Sequence, residues 1–516
     1  MGYCEIELKL PTDHDEIQLK RKIQKELNLT NFNHFISRKS LDARNKRKIH
    51  WLIRAGVESN ELSTGEKPHE EMLQVPDRFF GKGKKAVVTG CGPAGIFAAL
   101  IFQMAGFETT IIEKGKPVDE RSKDIINFEK TGQLPLNSGY PFGEGGAGTF
   151  SDGKLTSRTK AISVEKNFIF RELIAAGAPQ EIGYMTHPHL GSDNLKKIVP
   201  SIIEKFKSLG GEVFYKTEVI SFTHKNGRVV SVETKGKRPG SIDADIFLFA
   251  PGHSSYDLYR TLIRNGVEFE NKPFAIGFRV EHEREEINLS QWGVKELPGI
   301  KGAEYRLTSK CDSGSVFTFC MCPGGRIVQA SPKQGLSVVN GMSDYFRDGK
   351  FSNSAVVTPF KIEDVSKRAV YPLEALEIIE NMERKFFEFN NSFDIPAMTV
   401  KNIINKRESS SFPLESSYSF KLINSDFREL MPQKIFATLS EGLKVFNRKI
   451  SCFENGVAAG FESKTSAPVK SLRSADLSAP SFENLFVSGE GSGHAGGIIS
   501  SAADGIKVAL AAMRSF

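Results

Sequence analysis

The sequence predicts an α/β protein interrupted by an α+β insertion and preceded by a small βαββ unit. Three observations carry this. A strand, a glycine-rich turn, a helix and a second strand follow one another from Val87 to Glu113. A second buried strand leads through glycines into a helix near the end, from Asn484 to Met513. Between about Asn271 and Phe420 the pattern changes to hairpin-like strands with interspersed helices.

The stretch VVTGCGPAGIFAALIFQMAGFETTIIE is the most informative. Val87 to Thr89 reads as the end of a buried strand, and Gly90-x-Gly92-x-x-Gly95 opens a helix running to about Met104. Gly106 stops that helix, and Thr109 to Ile112 is a strand closed by Glu113. Gly90 permits the tight turn, Gly92 lets backbone approach a pyrophosphate, and Gly95 lets helix and strand pack closely. Free N–H groups and the positive end of the helix dipole suit phosphates. Glu113 lies about 20 residues on, where a carboxylate accepts hydrogen bonds from a ribose. A bare glycine pattern is weak, because an ordinary βαβ unit can carry a glycine turn. Here strand, helix, stop and acid agree on a dinucleotide site in a Rossmann-like fold.

Residues 1–60 read as the βαββ unit, a ferredoxin-like module. Cys4 to Leu10 alternates as a strand, Glu16 to Leu27 has helical spacing, and Phe35 to Ser40 and Ile49 to Val57 are strand-like. The unit is basic (Lys20, Arg21, Lys22, Lys25, Arg38, Lys39, Arg44, Lys46, Arg47 and Lys48), which suits either a solvated face or a polyanion surface. Residues 61–84 read as a linker, 85–270 as the first part of the nucleotide fold, 271–424 as a substrate or cap domain, and 425–516 as the returning part of the nucleotide fold.

The run Phe142 to Leu155 holds too many glycines for a regular element and reads as a loop whose backbone approaches a ligand at Gly145 and Gly146. Lys154 and Arg158 would face that ligand. A helix is expected from Ser163 to Ala176, and another to Leu209 with Ser192 or Asp193 as its cap. Glu212 to Val219 reads as one strand, followed by a hairpin about Asn226-Gly227. His187 and His189 stand in a loop as structural or acid/base groups. In the insertion, Phe274 to Val280 and Ser315 to Cys322 are the clearest strands. Strand alternation puts Cys320 and Cys322 on one face about 7 Å apart, too far for an easy disulfide, so they read as buried small side chains, with a redox pair as the alternative. Finally Asn484 to Glu490 is a strand ending in an acid, and Gly491 to Gly497 opens a helix over Ile498 to Met513. Two such helix starts suit a cofactor with a far end.

Composition bounds the rest. The chain has 516 residues, 39% hydrophobic and 25% charged, with a net charge of +7. That length suggests about three domains. No apolar run approaches the roughly 20 residues of a membrane span, and the acidic start is not a secretory signal. Six cysteines (4, 91, 311, 320, 322 and 452) without metal spacing suggest a reducing, cytoplasmic setting and no metal site.

GCGPAGIFAAL with Glu113, APG at 250–252 and VSGEGSGHAGGI at 487–498 resemble the three FAD contacts of flavoproteins with the glutathione-reductase-type fold. With SLDAR (40–44), FGEGGAGTFSDGKLTSR (142–158), HPHLGSDNL (187–195), KPFAIGFRVEH (272–282), FCMCPGG (319–325), NGMS (340–343) and ESKTSAPVK (462–470), the chain is similar to a poorly characterised family of FAD-dependent dehydrogenases. The resemblance implies FAD held by Gly90, Gly92, Pro93, Ala94 and Gly95 at the pyrophosphate and by Glu113 at the adenosine ribose. It places Val219 by the adenine and Gly252, Gly489 and Glu490 along the cofactor. Gly496, Gly497 and Ile498 would meet the isoalloxazine pyrimidine. Lys464 and Lys470 stand where arginine is expected, with Arg473 near, so an anion contact is altered.

The implied activity is a hydride exchange between FAD and a small organic substrate, or NAD(P)H docking transiently at the flavin face. A second nicotinamide motif is absent. Lys154, Arg158, His187, Arg279 and His494 are the candidate catalytic groups. The alternative is a flavoprotein recruited by its basic module to nucleic acid or an acidic protein partner.

Overall fold

The structure, a computed structural model, describes residues 1–366, 368–407 and 415–514. Its centre is a five-stranded sheet, every pair of which is parallel. Across the sheet the strands run Glu212–Phe214, Glu108–Ile112, Lys85–Thr89, Ile246–Phe249 and Leu485–Val487. Counted along the chain, that order is third, second, first, fourth, fifth. The order therefore reverses between Lys85–Thr89 and Ile246–Phe249, which is where an open parallel sheet leaves a crevice beyond its carboxyl ends.

Both faces of this sheet are covered, as a parallel sheet requires. Strand alternation sends Ile246 and Leu248 into one apolar cluster with the helices Pro93–Met104, Gly191–Ser208 and Ile498–Met513. Phe247 and Phe249 enter a second cluster with Val219, Phe222, Val229 and Val232. Those last residues belong to a three-stranded antiparallel meander, Thr217–Lys225, Arg228–Gly236 and Gly240–Asp243. Here the sequence reading of one strand from Glu212 to Val219 is corrected. Lys216 has a left-handed φ of 55°, and the turn there splits the run into a parallel-sheet strand and the first strand of the meander. The hairpin about Asn226-Gly227 forms, both residues taking positive φ (51° and 74°).

The helix Pro93–Met104 starts with proline in its first turn, where the missing N–H costs nothing, and Gly106 follows it with φ 87°. The helix Gly191–Ser208 begins before the expected cap. Neither Ser192 nor Asp193 caps it; the Asp193 carboxylate instead accepts from the Tyr345 amide at 2.7 Å.

Residues 2–59 form a three-stranded antiparallel sheet with the third strand central: Gly2–Leu10, His50–Ser59, Asn33–Asp42. One helix, Glu16–Leu27, covers it, closed by a capping box between Asp15 and Gln18. Its edge strand docks on the main body through Lys39: its amide donates to the Tyr184 carbonyl, and its own carbonyl accepts from the Thr186 amide. Several of the basic side chains are already engaged: Arg44 with Asp42, Lys22 with Glu26, Lys39 over the Trp51 ring, and Lys46 on the Ser290 carbonyl.

The insertion is a seven-stranded mixed sheet, in spatial order Thr308–Cys311, Gly314–Cys322, Phe351–Phe360, Phe274–Glu283, Val457–Glu462, Ile395–Thr399, Leu422–Asn424. The chain leaves for it and returns from it through one antiparallel ribbon, Phe269–Asn271 with Val469–Ser471. Among the described residues, no helix is long and apolar enough to cross a membrane.

The helix Ile498–Met513 crosses Pro93–Met104 at backbone contact. A Cβ at Gly505 would stand 2.2 Å from the Ala94 carbonyl oxygen. Alanine is favoured over glycine in a helix by about 1 kcal/mol, but a clash with backbone cannot relax cheaply. Gly505→Ala is expected to cost about 1–2 kcal/mol net, read as a lower thermal midpoint; an unchanged midpoint would mean the helices are not this close.

Candidate functional site

One cavity opens at the carboxyl ends of the parallel strands, on the reversal point of the strand order. Its floor is made by three strand exits: Thr89 and Gly90, Ala250 to Gly252, and Ser488 to Glu490. Two helix starts face it, and no side chain caps either one; Gly92 precedes Pro93–Met104, and Gly497 precedes Ile498–Met513. Their first amides are thus available to an anion.

Glycine is required at particular points of this floor. Gly90 has φ 107°, and a Cβ there would lie 2.5 Å from the Ala250 carbonyl oxygen. At Gly95 it would lie 1.9 Å from the Gly90 carbonyl oxygen, so helix and strand touch through backbone. Gly92 differs: a Cβ there meets only the Gly146 Cα, at 4.0 Å. Its side-chain position is open cavity.

Of the sequence-derived cofactor residues, Gly90, Gly92, Pro93, Ala94, Glu113, Gly146, Val219, Gly252, Gly489, Glu490, Gly497 and Ile498 line this one cavity. Gly95, Gly145 and Gly496 do not. Gly95 is consumed in packing, Gly145 donates to the Cys91 carbonyl at 2.7 Å behind the wall, and the Gly496 amide bonds the Ser500 hydroxyl at 3.1 Å. Glu113 is already held by the amides of Cys91 (2.8 Å), Gly115 (2.8 Å) and Gly143 (3.2 Å). Its carboxylate therefore fixes the glycine loop as well as facing the cavity.

The candidate catalytic residues separate. Lys154 lines the cavity. Arg158 and His187 are exposed and away from it, because the chain has left the wall after Leu155 and before the buried His189. His494 is also exposed and off the wall, its Nε2 3.2 Å from the Ser471 carbonyl. Arg279 is fully buried behind the wall and spent on partners: Asn353 at 2.8 Å, Glu462 at 3.0 Å and the Cys320 carbonyl at 2.7 Å. Arg473 binds Asp504 with two contacts, at 2.9 and 2.8 Å, and the Val487 carbonyl, so it holds the strand end instead of facing a ligand.

Sequence reasoning missed the groups that fix Lys154. The Arg347 guanidinium grips the Asp152 carboxylate through Nε (3.1 Å) and Nη2 (2.7 Å), and Glu304 through Nη1 (2.6 Å). Lys154 pairs with Asp152 and donates to the Met321 carbonyl. Burial pushes the Asp152 carboxyl up, but Arg347 and Lys154 outweigh it and hold the group well below the usual carboxylate range. The only local signal was the Asp-x-Lys spacing inside the glycine run. Likewise Lys464, on the wall, is buried against Glu383 at 2.6 Å and the Tyr256 hydroxyl; burial lowers its pKa. On the same cavity, burial raises the Glu490 carboxyl to about 7, only partly offset by Lys272.

Residues 273–465 match a family model described as "FAD-dependent protein, C-terminal domain-like". A protein of Clostridium beijerinckii, described only as uncharacterized, is 37% identical over 97% of this chain and 97% of its own length. Among solved structures, a geranylgeranyl bacteriochlorophyll reductase-like protein from Thermoplasma acidophilum gives a TM-score of 0.39 at 13% identity, covering 84% of this chain and 78% of that one. Glycine oxidase from Bacillus cereus gives 0.34 at 10% identity, covering 84% and 96%. Likeness at that level carries no argument.

Glu490 generates a pH prediction. Its folded pKa is raised, so the folded state keeps a proton that the unfolded chain loses above its ordinary 4.5. The resulting penalty is absent at pH 4, grows through the interval up to about 7, and is complete above it. Glu490→Gln removes it, so the ligand-free variant should be more stable than wild type at pH 8, by about 1–2 kcal/mol, and no more stable than wild type at pH 4. A gain that is the same at both pH values would refute the assignment. Asp152 has the opposite sign. Its stabilisation is present at neutral pH and lost as pH falls below the ordinary carboxylate range, and Asp152→Asn should cost roughly 3–5 kcal/mol at pH 7, measured by denaturant unfolding.

Proposed function

The chain belongs to one family with that Clostridium beijerinckii protein, and from this premise we propose that it is an FAD-dependent oxidoreductase. The observation that carries the proposal is the single cavity at the strand-order reversal, into which two uncapped helix starts open. A ligand with an anionic middle and an extended ring system matches that layout. The glutathione-reductase-type arrangement and the ferredoxin-like character of residues 1–60 are part of this reading, as are the domain limits given above, except that the insertion does not end at 424: Val457–Glu462 still pairs within its sheet, and the chain returns at Val469–Ser471. The FAD-dependent description of the matched family model supports it.

The residues present fit the cofactor. Gly92 and the first amides after it would hold the pyrophosphate, in a cradle that any side chain at 92 would fill. Glu113 would take the adenosine ribose with its remaining lone pairs, and Val219 would pack on the adenine. Glu490 would meet the ribityl chain, and the helix start at Gly497-Ile498 would meet the isoalloxazine. Bound FAD supplies hydride exchange at the flavin N5, with a small organic substrate or with NAD(P)H as the other party.

The protein's own groups do the remaining work. Lys154, fixed by Asp152 and the Met321 carbonyl, presents a cation on the wall shared with Asn340 and Cys320. The helix dipole at Ile498 favours negative charge at its end of the cavity. Phe142 and Phe319 line the cavity with apolar surface, which disfavours water beside a bound substrate. Recruitment by the basic unit to nucleic acid or an acidic partner is the second reading. The engagement of Lys22, Lys39, Arg44 and Lys46 within the chain weakens it.

Purified protein should show the absorption of bound flavin, or acquire it on incubation with FAD. Gly92→Ala should weaken FAD binding by about tenfold or more with an unchanged melting temperature, because its methyl occupies the cradle and touches nothing else. Wild-type protein that stays colourless after incubation would end the proposal.

A further inference from the structure

Cys320 on the cavity wall and Cys322 close behind it are two thiols without a role in the proposed flavin chemistry. Strand alternation would set Cys320 and Cys322 on one face with separated sulfurs. The structure departs from this. Cys320 takes a left-handed φ of 45°, and the pairing with Phe351–Phe360 slips between Phe319 and Cys322. A bulge with positive φ at a non-glycine residue is costly and clusters at functional sites. Its consequence is that the Cys322 thiol turns back onto its neighbour and donates to the Cys320 carbonyl at 3.4 Å, while Cys320 lines the cavity and Cys322 is fully buried behind it.

We propose that Cys320 and Cys322 form a thiol–disulfide exchange pair on the cavity wall, Cys320 attacking the disulfide of a small organic substrate and Cys322 resolving the product. The surroundings favour this division. The neighbouring Cys322 thiol, with Lys154 and Arg279 adding to the effect, holds Cys320 below the ordinary thiol range despite burial. Cys322 is pushed up by the same contact and by burial. The thiolate is the attacking form. Arg279 fixes the pair, with Nη2 2.7 Å from the Cys320 carbonyl and 3.9 Å from the Cys322 sulfur.

In the first step the Cys320 thiolate attacks one sulfur of the substrate disulfide, forming a mixed disulfide and expelling one substrate thiolate. In the second, Cys322 gives up its proton and attacks the Cys320 sulfur; the Cys320–Cys322 bond forms and the second substrate half leaves as a thiol. The pair is oxidised by two electrons and the substrate disulfide is reduced by two. The proposal rests on the FAD reading only for what else occupies the cavity; the exchange itself needs no flavin.

The test uses the full-length protein with hydroxyethyl disulfide as probe, followed by peptide mass spectrometry. Wild type should yield a Cys320–Cys322 peptide about 2 Da lighter than the dithiol, with both probe halves released. Cys322→Ser should stop at a mixed disulfide on Cys320, and Cys320→Ser should give neither product. Iodoacetamide at pH 7 should label Cys320 of wild type about tenfold faster than Cys4, Cys311 or Cys452. The wild-type arms need no variant to fold. Labelling of Cys320 no faster than that of the other three, or probe adducts without the internal linkage, would overturn the proposal. A colourless protein that forms the linkage would refute the FAD reading alone, and a yellow protein that does not would refute this one alone.

Discussion

Everything about the cavity depends on backbone touching backbone at the carboxyl ends of the sheet. Gly95 meets Gly90, Gly90 meets Ala250, Gly505 meets Ala94, and Gly491 meets Pro251, each so closely that a Cβ would fall within 2.5 Å of a carbonyl oxygen. A methyl group at any of these points forces strands or helices apart. The contacts bring the start of a helix at residue 93 and another at residue 498 onto one cleft, although some 400 residues of chain separate them. Without that proximity there are two isolated helix ends, each able to take an anion but neither able to take a long ligand.

The second constraint is electrostatic. The insertion must stay in register with the parallel-sheet body, and the ribbon of Phe269–Asn271 with Val469–Ser471 is a short tether. The Asp152–Arg347 pair provides a further clamp. It joins the glycine loop of the first body to residue 347 of the insertion, and both side chains are almost fully buried. Burying such a pair gains little over an apolar contact, but removing one partner strands a charge. The clamp therefore acts through specificity: it admits one arrangement of loop against sheet, and Lys154 faces the cavity because Asp152 is held there.

The sequence made the frame legible where the information was local. The strand–glycine–helix runs at 87–104 and 485–513 are contiguous, so spacing alone located them, and glycine marked the points of closest approach. It failed where the deciding partner was distant. Nothing near Arg279 reveals that Asn353 and Glu462 absorb its guanidinium, and nothing near Asp152 points to Arg347, 195 positions away. His187 and His189 look equivalent in sequence, yet one is exposed and the other stacks on Tyr345. Alternation also misplaced Cys320, because a bulge is set by how the neighbouring strand pairs and leaves no mark in the period of its own strand.

The distribution of charge around the cavity follows from these placements. Two lysines on the wall, Lys154 and Lys464, are each paired with a carboxylate, Asp152 and Glu383. Glu490, which lines the same cavity, sits in a setting that disfavours its ionised form. Near the centre these side chains largely cancel one another. The helix starts at Gly92 and Gly497 are not cancelled, since no side chain caps them. Fixed backbone dipoles thus dominate the attraction for negative charge, and they cost no side-chain entropy when a ligand arrives. A cavity built this way selects a ligand by where its charge lies along its length, which a cluster of mobile lysines could not do.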